Sequence, residues 1–165
     1  AGMFEAFENF RREAPAGVYV FRPLILFDFG VDPYLASPKE FFETLGAHPP
    51  ADLLEVLGDE CNLYTKEGET ALAFEIRDRS KVLGAMLRWE NEMTEDLARL
   101  KDQLPSVSLF EDLPLKNTDA RVARTQDGHV VLGYTIALGR FLLIASSEET
   151  LRSTLEHFVA GPLLR

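Results

Sequence analysis

At 165 residues and 18.5 kDa the chain has enough length for one domain with a genuine core. Hydrophobic residues at 46%, charged residues at 27% and 12 phenylalanines exclude a disordered polymer. The formal charge of -10, from 27 acidic against 17 basic residues, opposes a polyanionic partner, because each phosphate contact needs a cation that this surface does not hold in excess; nucleic acid is therefore not an expected partner.

Met3, Phe7 and Phe10 recur at helical spacing with Phe4 beside them, which predicts a short amphipathic N-terminal helix within residues 1–14, ended before Pro15. Val18 to Phe21 and Leu24 to Phe27 read as one broken strand or two segments, with Pro23 confining the join to a sheet edge or bulge and Gly30 and Pro33 ending it. Ser37-Pro38-Lys39-Glu40 combines a capping hydroxyl, a proline at the first helical position and a returning carboxylate, so a helix carrying Phe41, Phe42 and Leu45 is expected up to Gly46. Pro49-Pro50 opens another, with Leu53, Leu54, Val56 and Leu57 and a left-handed cap expected at Gly58.

Cys61 to Thr65 and Ala71 to Ile76 flank a polar, glycine-containing connection and predict a hairpin. Ser80 is the expected cap of a long helix whose stripe of Val82, Met86, Trp89, Met93, Leu97 and Leu100 faces a core. Leu104-Pro105 ends that helix, and the stretch to Leu115 reads as irregular or as one short strand near Leu109-Phe110. Strands follow at Ala120 to Thr125, His129 to Leu138 and Phe141 to Ala145, joined by Asp127-Gly128 and Gly139-Arg140. Ser146-Ser147-Glu148-Glu149 then launches a helix with Leu151, Leu155, Phe158 and Val159 on one face, terminated by Gly161-Pro162.

These elements predict a single α+β domain over residues 1–165, a predominantly antiparallel sheet with amphipathic helices packed on it. Residues 62–100 and 121–159 share one order of hairpin, strand and capped helix, which suggests a pseudo-repeat. No run approaches the roughly 18 apolar residues of a membrane-spanning helix. Ala1-Gly2 is not followed by the basic and apolar regions of a signal peptide.

The wording of Leu83-Gly84-Ala85-Met86-Leu87-Arg88-Trp89-Glu90, of Lys116 to Val122 and of Phe141 to Leu151 resembles an uncharacterised family of membrane-anchored proteins from small-genome candidate-phylum bacteria. The closing strand and helix are also similar to the DUF3352 group of bacterial surface proteins. The resemblance covers about the C-terminal 100 residues and brings no assigned catalytic residues. It implies an extracytoplasmic domain with an N-terminal membrane anchor, a segment that this chain lacks.

Chemistry-bearing patterns are sparse. His48, His129 and His157 have no ligand partner at helical spacing, and the lone Cys61 supports neither a disulfide nor a thiolate cluster, so no metal and no cofactor is expected. Ser146 and Ser147 stand where a nucleophile elbow would, without its flanking glycines, and capping accounts for them. Lys116 to Asp119 reads as a turn. The most informative pair is Trp89-Glu90: Trp89 belongs to the core stripe, whereas Glu90 lies at its edge and needs a cation, which Arg121 or Arg124 on a neighbouring strand could supply. An ion pair fixing helix to sheet is the simplest role for Trp89, Glu90 and Arg121.

The function read from the sequence is a noncatalytic extracytoplasmic binding or assembly domain, with no catalytic residues, acting on a protein partner or on itself through a sheet edge or through Phe4, Phe7 and Phe10, and reaching a membrane only through an anchor outside this chain. The alternatives are a hydrolase using Glu90 or Asp28 as acid or base, and a carrier holding a small ligand between helices and sheet.

Overall fold

A computed structural model describes residues 3–13, 20–23, 25–26, 34–100 and 109–160. In chain order the elements are α1 (Met3–Glu13), β1 (Val20–Pro23), β2 (Ile25–Leu26), β3 (Tyr34–Leu35), α2 (Pro38–Leu45), α3 (Ala51–Val56), β4 (Asn62–Lys66), β5 (Glu69–Glu75), α4 (Arg79–Asp96), a 3-10 turn (Ala98–Leu100), β6 (Phe110–Leu115), β7 (Thr118–Arg124), β8 (Val130–Ala137), β9 (Phe141–Ala145) and α5 (Glu148–Ala160). The expectations at Asp28, Gly30, Pro33, Pro105 and Gly161-Pro162 lie outside the described residues.

The α+β architecture is present. Seven antiparallel strands form one sheet in the order β1-β4-β5-β9-β8-β7-β6, and β2 pairs with β3 as a separate ribbon. The two segments around Leu24 thus belong to different sheets, and Pro23 sits in the edge strand β1, where a missing N–H is tolerated. Turns with positive φ at both central residues, Glu67-Gly68, Lys116-Asn117 and Leu138-Gly139, close three hairpins, because this conformation matches the twist of the strands it joins.

Alternation along the central strands separates two cores. Leu72 and Phe74 of β5 and Leu142 and Ile144 of β9 pack with Phe41, Phe42, Leu53, Met86 and Trp89 from α2, α3 and α4. Ala71, Ala73, Leu143 and Ala145 face Leu151 and Leu155 of α5 on the other side. The small alanines on this second face let α5 lie close, and the approach is tightest at Gly133, where an added Cβ would meet Val122 Cγ1 at 3.0 Å and Leu151 Cδ2 at 3.1 Å. The two segments proposed as a repeat run β4-β5-α4 and β7-β8-β9-α5. Their helices α4 and α5 cover opposite faces, which no two-fold axis relating the antiparallel neighbours β5 and β9 would produce.

Helix ends follow local chemistry. Ser37 and Glu40 form the reciprocal capping box, with Glu40 N–H donating to Ser37 Oγ at 3.2 Å, and Gly46 closes α2 at φ 74°. Two details differ from the sequence reading. Gly58 is not a left-handed cap; Leu57 ends α3 in extended backbone, and the Gly58 N–H donates to the Glu75 carbonyl at 2.7 Å. Asp78, not Ser80, caps α4: its carboxylate accepts from the Ser80 amide at 3.0 Å and the Ser80 hydroxyl at 2.6 Å, and these bonds hold its pKa below the ordinary carboxylate value. The predicted stripe Val82, Met86, Trp89, Met93, Leu97 and Leu100 is buried throughout.

Candidate functional site

Helix α4 presents Glu90 one position beyond the core residue Trp89, so its carboxylate emerges at the flank of the helix, above β7 and β8. There Arg121 meets it with two parallel bonds, Nε to Oε1 at 2.8 Å and Nη2 to Oε2 at 2.7 Å. Tyr134, directly opposite Arg121 in the β7–β8 ladder, donates its hydroxyl to Oε1 at 2.7 Å. The remaining arm of Arg121 reaches outward, Nη1 to Asp112 Oδ1 at 2.9 Å, on β6. The guanidinium therefore joins α4 to β7 and β6, and the Tyr134 hydroxyl adds β8.

The side chains of Glu90 and Arg121 are 12% and 25% exposed, enough desolvation for the pair to matter and enough water for its worth to stay modest. Hydrogen bonds to Glu90 and then Asp112 push the Arg121 pKa up, so the cation is permanent. Burial and then the bond to Glu90 push the Tyr134 phenol above its ordinary value, so it is a donor at physiological pH. A carboxylate whose two oxygens accept from a guanidinium and a phenol is held in a fixed place, which suits anchoring.

The sequence expectation of an ion pair at Glu90 is met by Arg121. Arg124 turns elsewhere, to Glu111 and to the Gly128 carbonyl at 2.9 Å. Trp89 stands in the core, edge-on to Phe42 at 5.4 Å, with its indole N–H donated to Asp96 Oδ2 at 2.7 Å. Tyr134 is the member that sequence reasoning missed.

The other candidates disperse. Phe7 is wholly buried and packs edge-on to Phe41 at 5.5 Å, which fixes α1 to the chain's own core rather than leaving this ring for a partner. Phe4 is 36% exposed beneath the guanidinium of Arg99 at 5.3 Å, and the side chain of Phe10 lies outside the described residues. Ser147 caps α5, accepting from the Thr150 amide at 3.1 Å. Ser146 does not cap; it is buried, accepts from the Thr70 amide at 2.8 Å and donates to Glu69, tying β9 to β5. Lys116-Asn117 is a hairpin turn, as expected. His48 and His129 lie beside Asp96 and Asp127, each at 3.6 Å, and His157 stacks edge-on to Tyr64 at 5.4 Å. Among the described residues no three His, Cys, Asp or Glu side chains converge as metal ligands, and no helix is long and apolar enough to cross a membrane.

No family model, no curated protein and no solved structure matches this chain.

Proposed function

We propose that the chain is a noncatalytic binding or assembly domain of a membrane-anchored bacterial protein, displayed outside the cytoplasm, with the open edge of its sheet as the working surface. The observation that carries this reading is the engagement of Glu90: both of its oxygens are held by Arg121, and Tyr134 adds a third bond. The carboxylate best placed to act as acid or base is thereby given a mechanical task, joining α4 to the half of the sheet that ends in β6. The location rests on the resemblance of the C-terminal 100 residues.

In-cell crosslinking of the natural protein, followed by separation of membrane and soluble fractions, tests both parts. A specific crosslinked species in the membrane fraction, sensitive to protease added outside the cytoplasmic membrane, is the expected result. A protein found only as an uncrosslinked, protease-shielded monomer would overturn the reading.

A further inference from the structure

Resting on the binding-domain reading, the geometry of β6 points to its partner class: we propose that β6 takes a basic, extended peptide segment as an added strand. The argument begins at the turn. Lys116 and Asn117, at φ 50° and 61°, make a two-residue hairpin whose first paired residues are Leu115 and Thr118. Such a turn makes that first pair a hydrogen-bonded one, so Leu115, Leu113 and Glu111 direct their N–H and C=O groups to β7, and Phe110, Asp112 and Pro114 direct theirs away from it. An independent contact agrees with this phase: the Asp119 carbonyl accepts from the Thr135 hydroxyl at 2.7 Å and so faces β8, as alternation from Thr118 requires.

Among the described residues β6 pairs with β7 alone. It therefore offers the N–H groups of Phe110 and Asp112 and the carbonyls of Phe110, Asp112 and Pro114 to an incoming backbone. Pro114, with no N–H, ends the row of donors and limits the usable length.

The side chains choose the occupant. Successive residues point to opposite faces, so Asp112, 86% exposed, and Glu111, 56% exposed, make the edge acidic on both. Behind them Arg121 is shared with Glu90 and Arg124 with the Gly128 carbonyl, while Asp119 is exposed, so acid is in excess locally as in the whole chain. A second copy is the poorer fit: antiparallel self-pairing through the amides of Phe110 and Asp112 sets either Glu111 against Glu111 or Asp112 against Asp112. Lysine or arginine on an extended segment satisfies both the ladder and the charge.

The probe is an acetylated, amidated hexapeptide, Lys-Lys-Val-Lys-Lys-Val, whose lysines fall on both faces of an extended strand. Its controls are the glutamate–valine counterpart and the lysine peptide N-methylated at its two central residues, which removes one donor from each of its edges. Calorimetry measures binding and hydrogen exchange reads the Phe110 and Asp112 amides. Expected are binding of the unmethylated lysine peptide alone, exchange at both amides slowed about tenfold or more, and a comparable loss of affinity in Asp112→Lys and in Glu111→Lys. Absence of binding, equal binding of the N-methylated peptide, unchanged exchange at the two amides, or peptide-independent protection with a doubled mass would each overturn the proposal. Crosslinks that map away from β6 in the cell would remove this edge while leaving the binding-domain reading in place.

Discussion

Arg121 is the residue on which the α4 side of the sheet turns, because it satisfies an inner and an outer carboxylate with different arms. Replacing Glu90 by Gln keeps the shape but leaves the guanidinium without its inner anion; we expect a loss of about 1–3 kcal/mol in urea-measured stability, less than for a fully buried pair. Tyr134→Phe removes one bond to the same oxygen and should cost about 1 kcal/mol. If the double variant with Arg121→Met is no less stable than Glu90→Gln alone, the two side chains act as a unit. Two buried groups, Cys61 ahead of β4 and Tyr134 on β8, set a pH dependence. Burial pushes up the Cys61 thiol from 9.0, and burial with the Glu90 bond pushes up the Tyr134 phenol from 10.0. Folded, both groups hold protons that the unfolded chain releases, so their contribution is complete below those values and is lost as the pH rises beyond them. Above about pH 9 the unfolding free energy should fall by up to about 1.4 kcal/mol per pH unit for each group, and Cys61→Ala and Tyr134→Phe should each flatten part of the slope.

Among the elements, α4 and α5 are held by different means. The cap of α4 is Asp78, so Asp78→Ala should lower the melting temperature, while Ser80→Ala, which leaves the capping carboxylate and the amide in place, should lower it less. Two capping residues stand two positions apart, and sequence alone offered no reason to prefer the earlier one. Helix α5 instead depends on close approach at Gly133, and Gly133→Ala should cost about 1–3 kcal/mol, since the new methyl needs Val122 and Leu151 to move and the Arg121 carbonyl lies at 3.3 Å. Periodicity was sufficient for the α4 stripe and for the strands, whose apolar alternation reports which side is buried. It was insufficient for Tyr134: counting back from a turn at Asp127-Gly128 does set Tyr134 opposite Arg121, but nothing local ties its hydroxyl to Glu90, a contact that depends on where α4 crosses the sheet. Ser146 escaped for a related cause: its bonds to Thr70 and Glu69 depend on β9 lying beside β5, a long-range pairing that no local pattern encodes.

For the whole molecule, α1 belongs to the folded body. Its anchor is Phe7, the first ring in a chain of aromatic contacts through Phe41 and Phe42 to Phe74 and Trp89. Phe7→Ala should therefore lower stability by about 3–5 kcal/mol, as for other large core truncations, with the mass by light scattering unchanged. The α+β class was legible because hairpin turns and capped amphipathic helices both leave signatures within a few residues. The assignment of helices to faces was not, because it depends on which way the chain crosses the sheet after β5 and after β9.

The pairing of β5 with β9, from Ala71 against Ala145 to Glu75 against Phe141, has a kinetic consequence. Each hairpin can zip from its own turn, but this central seam closes only after two distant halves of the polypeptide have found one another, and the entropy of that search falls before any reward is gained. Ribosome-bound chains that end ahead of β9 would carry β5 as a raw margin, its apolar residues uncovered on one side, until the last strand arrives to knit the halves together.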